Sequence, residues 1–545
     1  MRVWIFLIAV LPLVGCETVA NKTYCDTTRP CTDPAKPECN LASNTCVLAS
    51  RLDMAMDGGD MPMIGDPDLL QPDLLPEPDL LPMCATSAQC TTAESPICGG
   101  DGVCRACNGA GDDAVCLAKS SKRCVTAGTN VGECAACNPV PLNAENADCV
   151  AAATTTPVCT GDAVCAACTA HNQCNSKVCN LATGACTPSS EIAYVNNAVS
   201  VPTCSDVQHD STPPNVAYCE ISAAIAISGK SVIHVEGSGT AYGNILIADN
   251  TGQVSIVGPG ATASPTARVY TMGKNSLELT MSSGATAAYV VVVDGMALGG
   301  TQADKAVRGL RCANASNVHS IDVTVRDSVL SDSTGQGIYS GKCALTVSGS
   351  TVSGNGGTGI SGSGGTTTIQ KTTVSGNASE GIKLDNAPYT VSNNFVFSNG
   401  AVLGLPGVLL LGTSSGTLSF NTIIKNGGAE NVQGGVQCST GGVSTRAIEY
   451  SIVTNNATKT GTQFKDNCVL TQVLVGTDST SDAGAIKDKT PEFTSTIDLH
   501  LTKVGANNDC CIDKVAANVC IANDIDGNVR PQGTLCDLGA DEVVP

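Results

Sequence analysis

Between residues 328 and 456 one pattern returns at nearly constant spacing, and it limits the fold more than any other feature of the chain. Val329, Val352, Val374, Val396, Ile423 and Ile452 recur at intervals of 23, 22, 22, 27 and 29. Three residues after each stands an amide or carboxylate: Asp332, Asn355, Asn377, Asn399, Asn426 and Asn455. Most copies then carry a glycine and a β-branched residue, at Gly337-Ile338, Gly359-Ile360, Gly381-Ile382, Gly407-Val408 and Gly435-Val436. A period near 22 fits one coil of a parallel β-helix, three short strands whose inward residues stack on like residues of the next coil. The amides then form a ladder at one corner, because Asn tolerates a left-handed turn and stacked side-chain amides hydrogen-bond along the axis. A β-sandwich lacks such a short fixed period, and a leucine-rich solenoid demands a leucine spacing that is missing.

From about Ile192 onward, short β-branched runs alternate with Gly, Ser, Asn and Thr, with little helical periodicity. With its repeat, this region resembles the right-handed parallel β-helix superfold of pectate-lyase-like proteins. The fold class expected is all-β, a solenoid over 191–545 preceded by small disulfide-rich modules. Tyr218-Cys219-Glu220-Ile221 with Ala223, Ala224 and Ile225, then Val232-Ile233-His234-Val235, Gly239, Tyr242 and Ile245-Leu246-Ile247, resemble the entry of bacterial β-helix proteins. The resemblance implies a short amphipathic helix covering the first coil, whose unpaired edge needs a cover. Asp498-Leu499-His500-Leu501, Asp524-Ile525-Asp526-Gly527, Arg530-Pro531 and Asp537-Leu538-Gly539-Ala540-Asp541-Glu542 resemble the closing motif of such proteins.

At the N-terminus, Arg2 precedes an apolar run from Val3 to Val14, too short to span a bilayer and of the length of a signal-peptide core over residues 1–15. Leu13-Val14-Gly15-Cys16 resembles the lipobox of bacterial lipoproteins. That implies cleavage before Cys16, lipid on its sulfur and acylation of its amino group, with 16–24 as the anchored N-terminus. The competing reading is an ordinary signal peptide whose first Cys enters a disulfide. Of the 31 Cys, removing Cys16 leaves an even number, which suits complete pairing. Glu17 after the Cys favours, by analogy, the outer membrane, so the location expected is exported, lipid-anchored and surface-exposed. Beyond this lipid no membrane attachment is expected, since no later segment approaches 18 uninterrupted apolar residues.

Cys25, Cys31, Cys39 and Cys46 form a four-Cys unit within 25–50, and Cys84, Cys90, Cys98 and Cys104 repeat its spacing. Three more units, Cys107 to Cys134, Cys137 to Cys165 and Cys168 to Cys186, complete a run of four over 84–190, joined by C-x-x-C steps. Modules this small, with 3% aromatic residues in the chain, require disulfides for their constraint. Connectivity inside each stays open among three pairings. Zinc on paired C-x-x-C steps is the alternative, disfavoured by the oxidising compartment, and a thioredoxin-like role lacks its βαβ context. Residues 51–83, with eight acids, one base and three Pro-Asp-Leu-Leu copies, cannot fold on themselves. They read as an extended acidic stalk reaching on the order of 100 Å. Outside modules and anchor, Cys204/Cys219, Cys312/Cys343 and Cys438/Cys468 are the expected disulfides.

The net charge of −20 excludes a basic surface for a phosphate backbone, so nucleic acid is not an expected partner. The one dense charge cluster, Arg308, Arg311, His319, Asp322, Arg326, Asp327 and Asp332, supplies the only catalytic candidates, Asp322, Arg326, Asp327 and Asp332. A surface salt bridge explains it with less assumption. The polygalacturonase signatures of related β-helices, Asn-Thr-Asp, Asp-Asp, His-Gly and Arg-Ile-Lys, are missing from 191–545, and the five His have no ligand spacing, so no metal ligand set is expected. Asp524-x-Asp526-x-Asn528 spaces oxygens in a way Ca²⁺ accepts, but without the downstream Glu of an EF-hand; an Asp526–Arg530 ion pair is preferred. No cofactor is otherwise expected. Sugar recognition by exposed aromatics is thinly supplied, Phe395 and Phe397 flanking an inward Val and the only Trp lying in the apolar run. The reading is a cell-surface lipoprotein acting as a non-catalytic scaffold or adhesion protein, its partners the membrane and a cell-surface protein or polysaccharide. Polysaccharide binding, then cleavage by a lyase or glycoside hydrolase, are the alternatives. Insertions at 400–406 and 427–434, in adjacent coils, are expected to project on one edge and wall a groove, unless they are drift in tolerated loops.

Overall fold

The computed structural model describes residues 38–40, 45–47 and 84–544, the last range interrupted at 93–94, 109, 121–122, 127–129, 140, 142, 199–203, 207–216, 251, 261–262, 264–265, 302, 403, 429–433, 439–445, 457–462, 467 and 477–482. The apolar run, Cys16 and the acidic stalk lie outside the described residues. The chain divides into two units, Met1–Leu80 and Leu81–Pro545. In the first, the described residues form one antiparallel hairpin, Glu38–Asn40 with Thr45–Val47, placing Cys39 opposite Cys46.

The second unit begins with four modules that repeat one hairpin. Cys98 pairs with Cys104, Cys124 with Cys134, Cys159 with Cys165 and Cys179 with Cys186 across two-stranded ladders. Each module is stapled first Cys to third and second to fourth: Cys84/Cys98 and Cys90/Cys104, Cys107/Cys124 and Cys116/Cys134, Cys137/Cys159 and Cys149/Cys165, Cys168/Cys179 and Cys174/Cys186. The hairpin brings the last two Cys side by side, so each can reach a different earlier partner. Arg123 of one module meets Asp148 of the next at 2.9 Å.

From Ile192 the chain winds as an all-β parallel solenoid with three sheets. Among the described residues sheet A has 11 strands, from Ile192–Val195 to Cys468–Thr471; sheet B has 9, from Ile245–Ala248 to Phe464–Asp466; and sheet C has 10, from Arg268–Val269 to Ala485–Lys487. Each coil passes A, C, B. Inward residues stack by type: Val325, Val347, Ile369, Val391 and Leu418 in sheet A, and Ile338, Ile360, Ile382, Val408 and Val436 in sheet B. All ten are buried, so every coil's apolar side chains leave water only against the coils beside it. The helix Ile221–Ile227 buries Ile221 and Ala224 against the first coils.

In sheet C the register runs Leu330, Val352, Val374, Val396, Ile423, Val453. The end members of the repeat are therefore displaced by one: Val329 and Ile452 point outward, and Leu330 and Val453 fill the core. Because side chains alternate across a strand, a one-residue offset changes the face. The corner amides shift likewise. Asn355 donates through Nδ2 to Asn377 Oδ1 (2.9 Å), Asn377 to Asn399 (2.8 Å), Asn399 to Asn426 (3.0 Å), Asn426 to Asn456 (2.9 Å) and Asn456 to Gln463 Oε1 (2.7 Å). Ser333, not Asp332, donates its N–H to Asn355, and Asn456, not Asn455, takes the rung at the other end. Asp332 and Asn455 instead supply the left-handed residue one position earlier, with φ of 56° and 54°. The recurring glycine has a steric cause. A Cβ on Gly381 would stand 2.8 Å from Asn399 Nδ2, so the next coil's amide occupies the space a side chain needs.

At the corner between sheets A and C a second ladder runs in two stretches, Ser328 to Ser350 and then Thr372 through Asn394 and Asn421 to Ser451; Asn394 Nδ2 donates to Asn421 Oδ1 at 2.9 Å. Disulfides join Cys204 to Cys219, Cys312 to Cys343, Cys438 to Cys468, Cys510 to Cys511 and Cys520 to Cys536. The C-terminal segment folds back over the outer face of sheet C, where Leu499 and Ala540 cover Phe395, Phe397 and Ile424, and Leu501 and Leu538 cover Ile452.

Candidate functional surface

The solenoid exposes two outer faces of opposite character. On sheet A the in-register row is Thr324, Thr346, Thr368, Thr390, Thr417, and beside it Arg326, Ser348, Gln370, Ser392, Ser419. Between Arg326 and Glu449, the charges that bound the second row in register, these rows carry hydroxyls, one amide and the Thr methyls at the ~4.8 Å strand spacing, with Ser392 buried. A Thr fits here because a β-branched side chain packs well on a pleated face.

On sheet B the row is Glu278, Arg311, Tyr339, Ser361, Lys383, Leu409. Arg311 Nη1 lies 2.5 Å from Glu278 Oε1, Arg308 Nε donates to Gln336 Oε1 at 2.7 Å, and the Arg308 guanidinium stands 5.6 Å from the Tyr339 ring centre. Glu278 and Arg311 are spent on each other and Arg308 on Gln336 and Tyr339, while Lys383 has no ion pair among the described residues.

Arg326 reaches across to its in-register neighbour on the preceding coil, the buried Asp294, which also accepts from His171 Nε2 at 2.9 Å. His171 Nδ1 accepts the Cys179 N–H at 3.0 Å, so Nε2 carries the proton. His171 belongs to the last Cys module; Val178 of that module packs on Ile192 and Val257, and Tyr194 donates to Ser176 O at 3.3 Å. The constellation is a clamp between module and solenoid. His171→Ala is expected to cost this docking about 2 kcal/mol, the worth of a bond to a buried charge. Limited proteolysis at 187–191 should then speed up, while sites in the coils stay as resistant as in the parent.

The charge cluster is thus dispersed. Arg308 and Arg311 lie on sheet B and Asp322 and Arg326 on sheet A; His319 precedes sheet A, its carbonyl accepting from Asn314. Asp327 sits in the left-handed turn after sheet A, where burial first and then the Asp294 carboxylate raise its pKa. Asp332 is at the far side of sheet C's strand. No two of Asp322, Asp327 and Asp332 share a face, so the four catalytic candidates form no common site. Phe395 and Phe397 are buried under the C-terminal segment and offer no sugar platform. At the insertions, Gly428 approaches the Ala401 carbonyl so closely that a Cβ on it would stand 2.9 Å away. The two bases abut, Val402 is 77% exposed, and 429–433 lie outside the described residues.

In the closing segment, Arg530 is buried and does not pair with Asp526. Its Nη1 donates to Asp537 O (3.0 Å) and faces Glu542 Oε2 (3.4 Å), its Nη2 donates to Gly539 O (2.9 Å), and it stands over Phe420. Burial of such a cation demands these partners. Asp526 faces His500 instead. Asp524 accepts the N–H groups of Asp526, Asn528 and Glu542 and the Asn528 amide, so the spacing that suggested Ca²⁺ serves a turn. Burial outweighs the Val543 and Asp513 N–H donors and pushes Asp537 up to about 7. A carboxyl raised on folding binds its proton more tightly in the folded state, so the segment gains stability as pH falls from about 7 toward the ordinary Asp range. The opening free energy of the Asp513 and Val543 amides in hydrogen exchange should be higher at pH ~5.5 than at pH ~8, by about 2 kcal/mol. A flat profile would show that Asp537 stays ionised throughout.

A family model described as a right handed beta helix region matches residues 308–476, the stretch of regular coils. No curated protein matches. Among solved structures, pectate lyase Pel9A is similar at 13% identity and TM-score 0.42, over 65% of this chain and 98% of that one. An alginate lyase from Paenibacillus sp. gives 12% and 0.26 over 49% and 92%, and the mannuronan C-5 epimerase AlgE6 A-module from Azotobacter vinelandii 12% and 0.25 over 50% and 93%.

The Thr row shares the period of the Val repeat and was legible at 324, 346, 368 and 390. The Asp294 clamp was not, since His171 and Asp294 are 123 residues apart.

Proposed function

We propose that this chain is a non-catalytic surface scaffold for adhesion, lipid-anchored through Cys16 in the outer membrane and lifted by the acidic stalk, with the outer face of sheet A as its binding surface. What carries the reading is the contrast between the two faces. The pairs Glu278–Arg311 and Arg326–Asp294 hold neighbouring coils together, while the middle coils of sheet A offer regular, uncharged rows of hydroxyls. Such a face suits a neutral, hydroxyl-rich polymer lying along the solenoid axis, matched coil by coil at ~4.8 Å. Uncharged polysaccharide is the ligand class.

The test uses the full chain on glycan and cell-surface arrays, with the double variant Thr368→Lys/Thr390→Lys. Binding to uncharged glycans that falls about tenfold or more in the variant supports the reading, two buried-interface contacts being worth that much. Unchanged binding removes sheet A from the interface. Steady release of shortened chains from pectin-like or alginate-like polymers overturns the non-catalytic reading. Cys16→Ser should leave a precursor that no longer partitions with membranes; partitioning like the parent's would rule out the lipid anchor.

A further inference from the structure

His500 and three carboxylates from separate stretches of the closing segment converge on one point. Asp498 bonds His500 Nδ1; Asp526 Oδ2 lies 2.7 Å from Nε2; and a carboxylate oxygen of Asp541, the His500 ring and an oxygen of Asp526 all lie within 4.8 Å of one another. Each position is held from outside the cluster. The His500 ring meets the Phe395 ring edge-on at 5.2 Å between centres. Asp526 rides on the turn that Asp524 ties by accepting its N–H at 3.0 Å.

Asp541 is the independent observation. The residue is 5% exposed, its carboxylate accepts the Leu501 N–H at 2.7 Å, and among the described residues no Lys or Arg forms a salt bridge with it. A buried carboxylate without a cation is costly. A divalent cation at this point would face the His500 ring and carboxylate oxygens of Asp526 and Asp541 together.

We propose that His500 Nε2, Asp526 and Asp541 form a binding site for a divalent transition cation of the Zn²⁺ kind, with Asp498 positioning His500 through Nδ1. One imidazole and two carboxylates with a water in the fourth place is a ligand set zinc accepts, with donors drawn to ~2.0–2.2 Å. A carboxylate on the far ring nitrogen fixes tautomer and orientation. The cation would tie together the 498–501, 524–528 and 537–542 stretches that cover sheet C.

The experiment is titration of chelator-treated full-length protein with Zn²⁺ alone, read by a competing chelating dye and by X-ray absorption. One equivalent bound to nitrogen and oxygen donors including one imidazole is expected. Affinity should fall about tenfold or more in Asp526→Asn, whose side chain is half exposed and whose substitution spares the fold, and in Asp541→Asn. Asp322→Asn, on an unrelated exposed face, should bind as the parent does. No bound equivalent, sulfur donors, or undiminished binding in Asp526→Asn overturns the site. Because the sheet A face is untouched by Asp526→Asn, loss of Zn²⁺ with glycan binding intact separates this site from the adhesion reading.

Discussion

Replacing Asn399 by Ala should destabilise the solenoid by on the order of 4 kcal/mol, whereas Asp332→Ala and Asn455→Ala should each cost about 1 kcal/mol or less. Asn399 is fully buried. Its Nδ2 donates to Asn426 Oδ1, Val374 O and Phe397 O, and its Oδ1 accepts both the N–H and the Nδ2 of Asn377. The truncation therefore strands two donors and up to three acceptors where water cannot reach, each at about 1–3 kcal/mol before relaxation. Asp332 and Asn455 contribute only a left-handed backbone angle at the surface, which Ala adopts with mild strain. Urea unfolding followed by far-UV circular dichroism distinguishes these outcomes. Equal losses at Asn399 and Asn455 would mean that the rung hydrogen bonds add nothing beyond the turn.

The second large effect is expected at Arg530. Arg530→Met keeps much of the volume over Phe420 but removes the cation facing Glu542 and the donors to the Asp537 and Gly539 carbonyls. Glu542, whose side chain is 1% exposed, retains only N–H donors from Gln532 and Asp537, and a buried charge stripped of its partner costs about 3–5 kcal/mol. The loss should fall on the closing segment and spare the coils, because a solenoid's stability is a sum of neighbour terms. Hydrogen exchange should speed up at 498–543 and at the sheet C residues beneath, with amides of sheets A and B unchanged. If the variant melts as the parent does, Arg530 is not the keystone of this segment.

The uncovered Phe395 and Phe397 would then give an independent readout, since both lie under Leu499 and Ala540 in the intact protein. Binding of a dye that lights up on exposed apolar surface should rise in Arg530→Met and stay low in Asn455→Ala.

The sequence by itself determined the architecture. A residue type recurring every 22 positions has few geometric solutions, and inward Val and Ile, corner Asn and the glycine before each sheet B strand each answer a local need visible in one coil. The Cys spacing likewise announced repeated modules, though not that each joins first to third and second to fourth, because pairing depends on which Cys a hairpin sets side by side. Where the spacing stretched, local reading lost the register: Val329 and Ile452 carry the right chemistry one residue from the position that faces inward, and only contact with the adjacent coil chooses the face. What lies between distant segments was decided by tertiary structure alone. His171 on Asp294, Arg530 beneath Glu542, and Asp526 on His500 rather than Arg530 join residues whose neighbours in sequence give no sign of the partner. Charges and aromatic rings are recognisable as types in a sequence, but whether they are paired, buried or free depends on which remote surface covers them, and that is set by the packing of the whole chain.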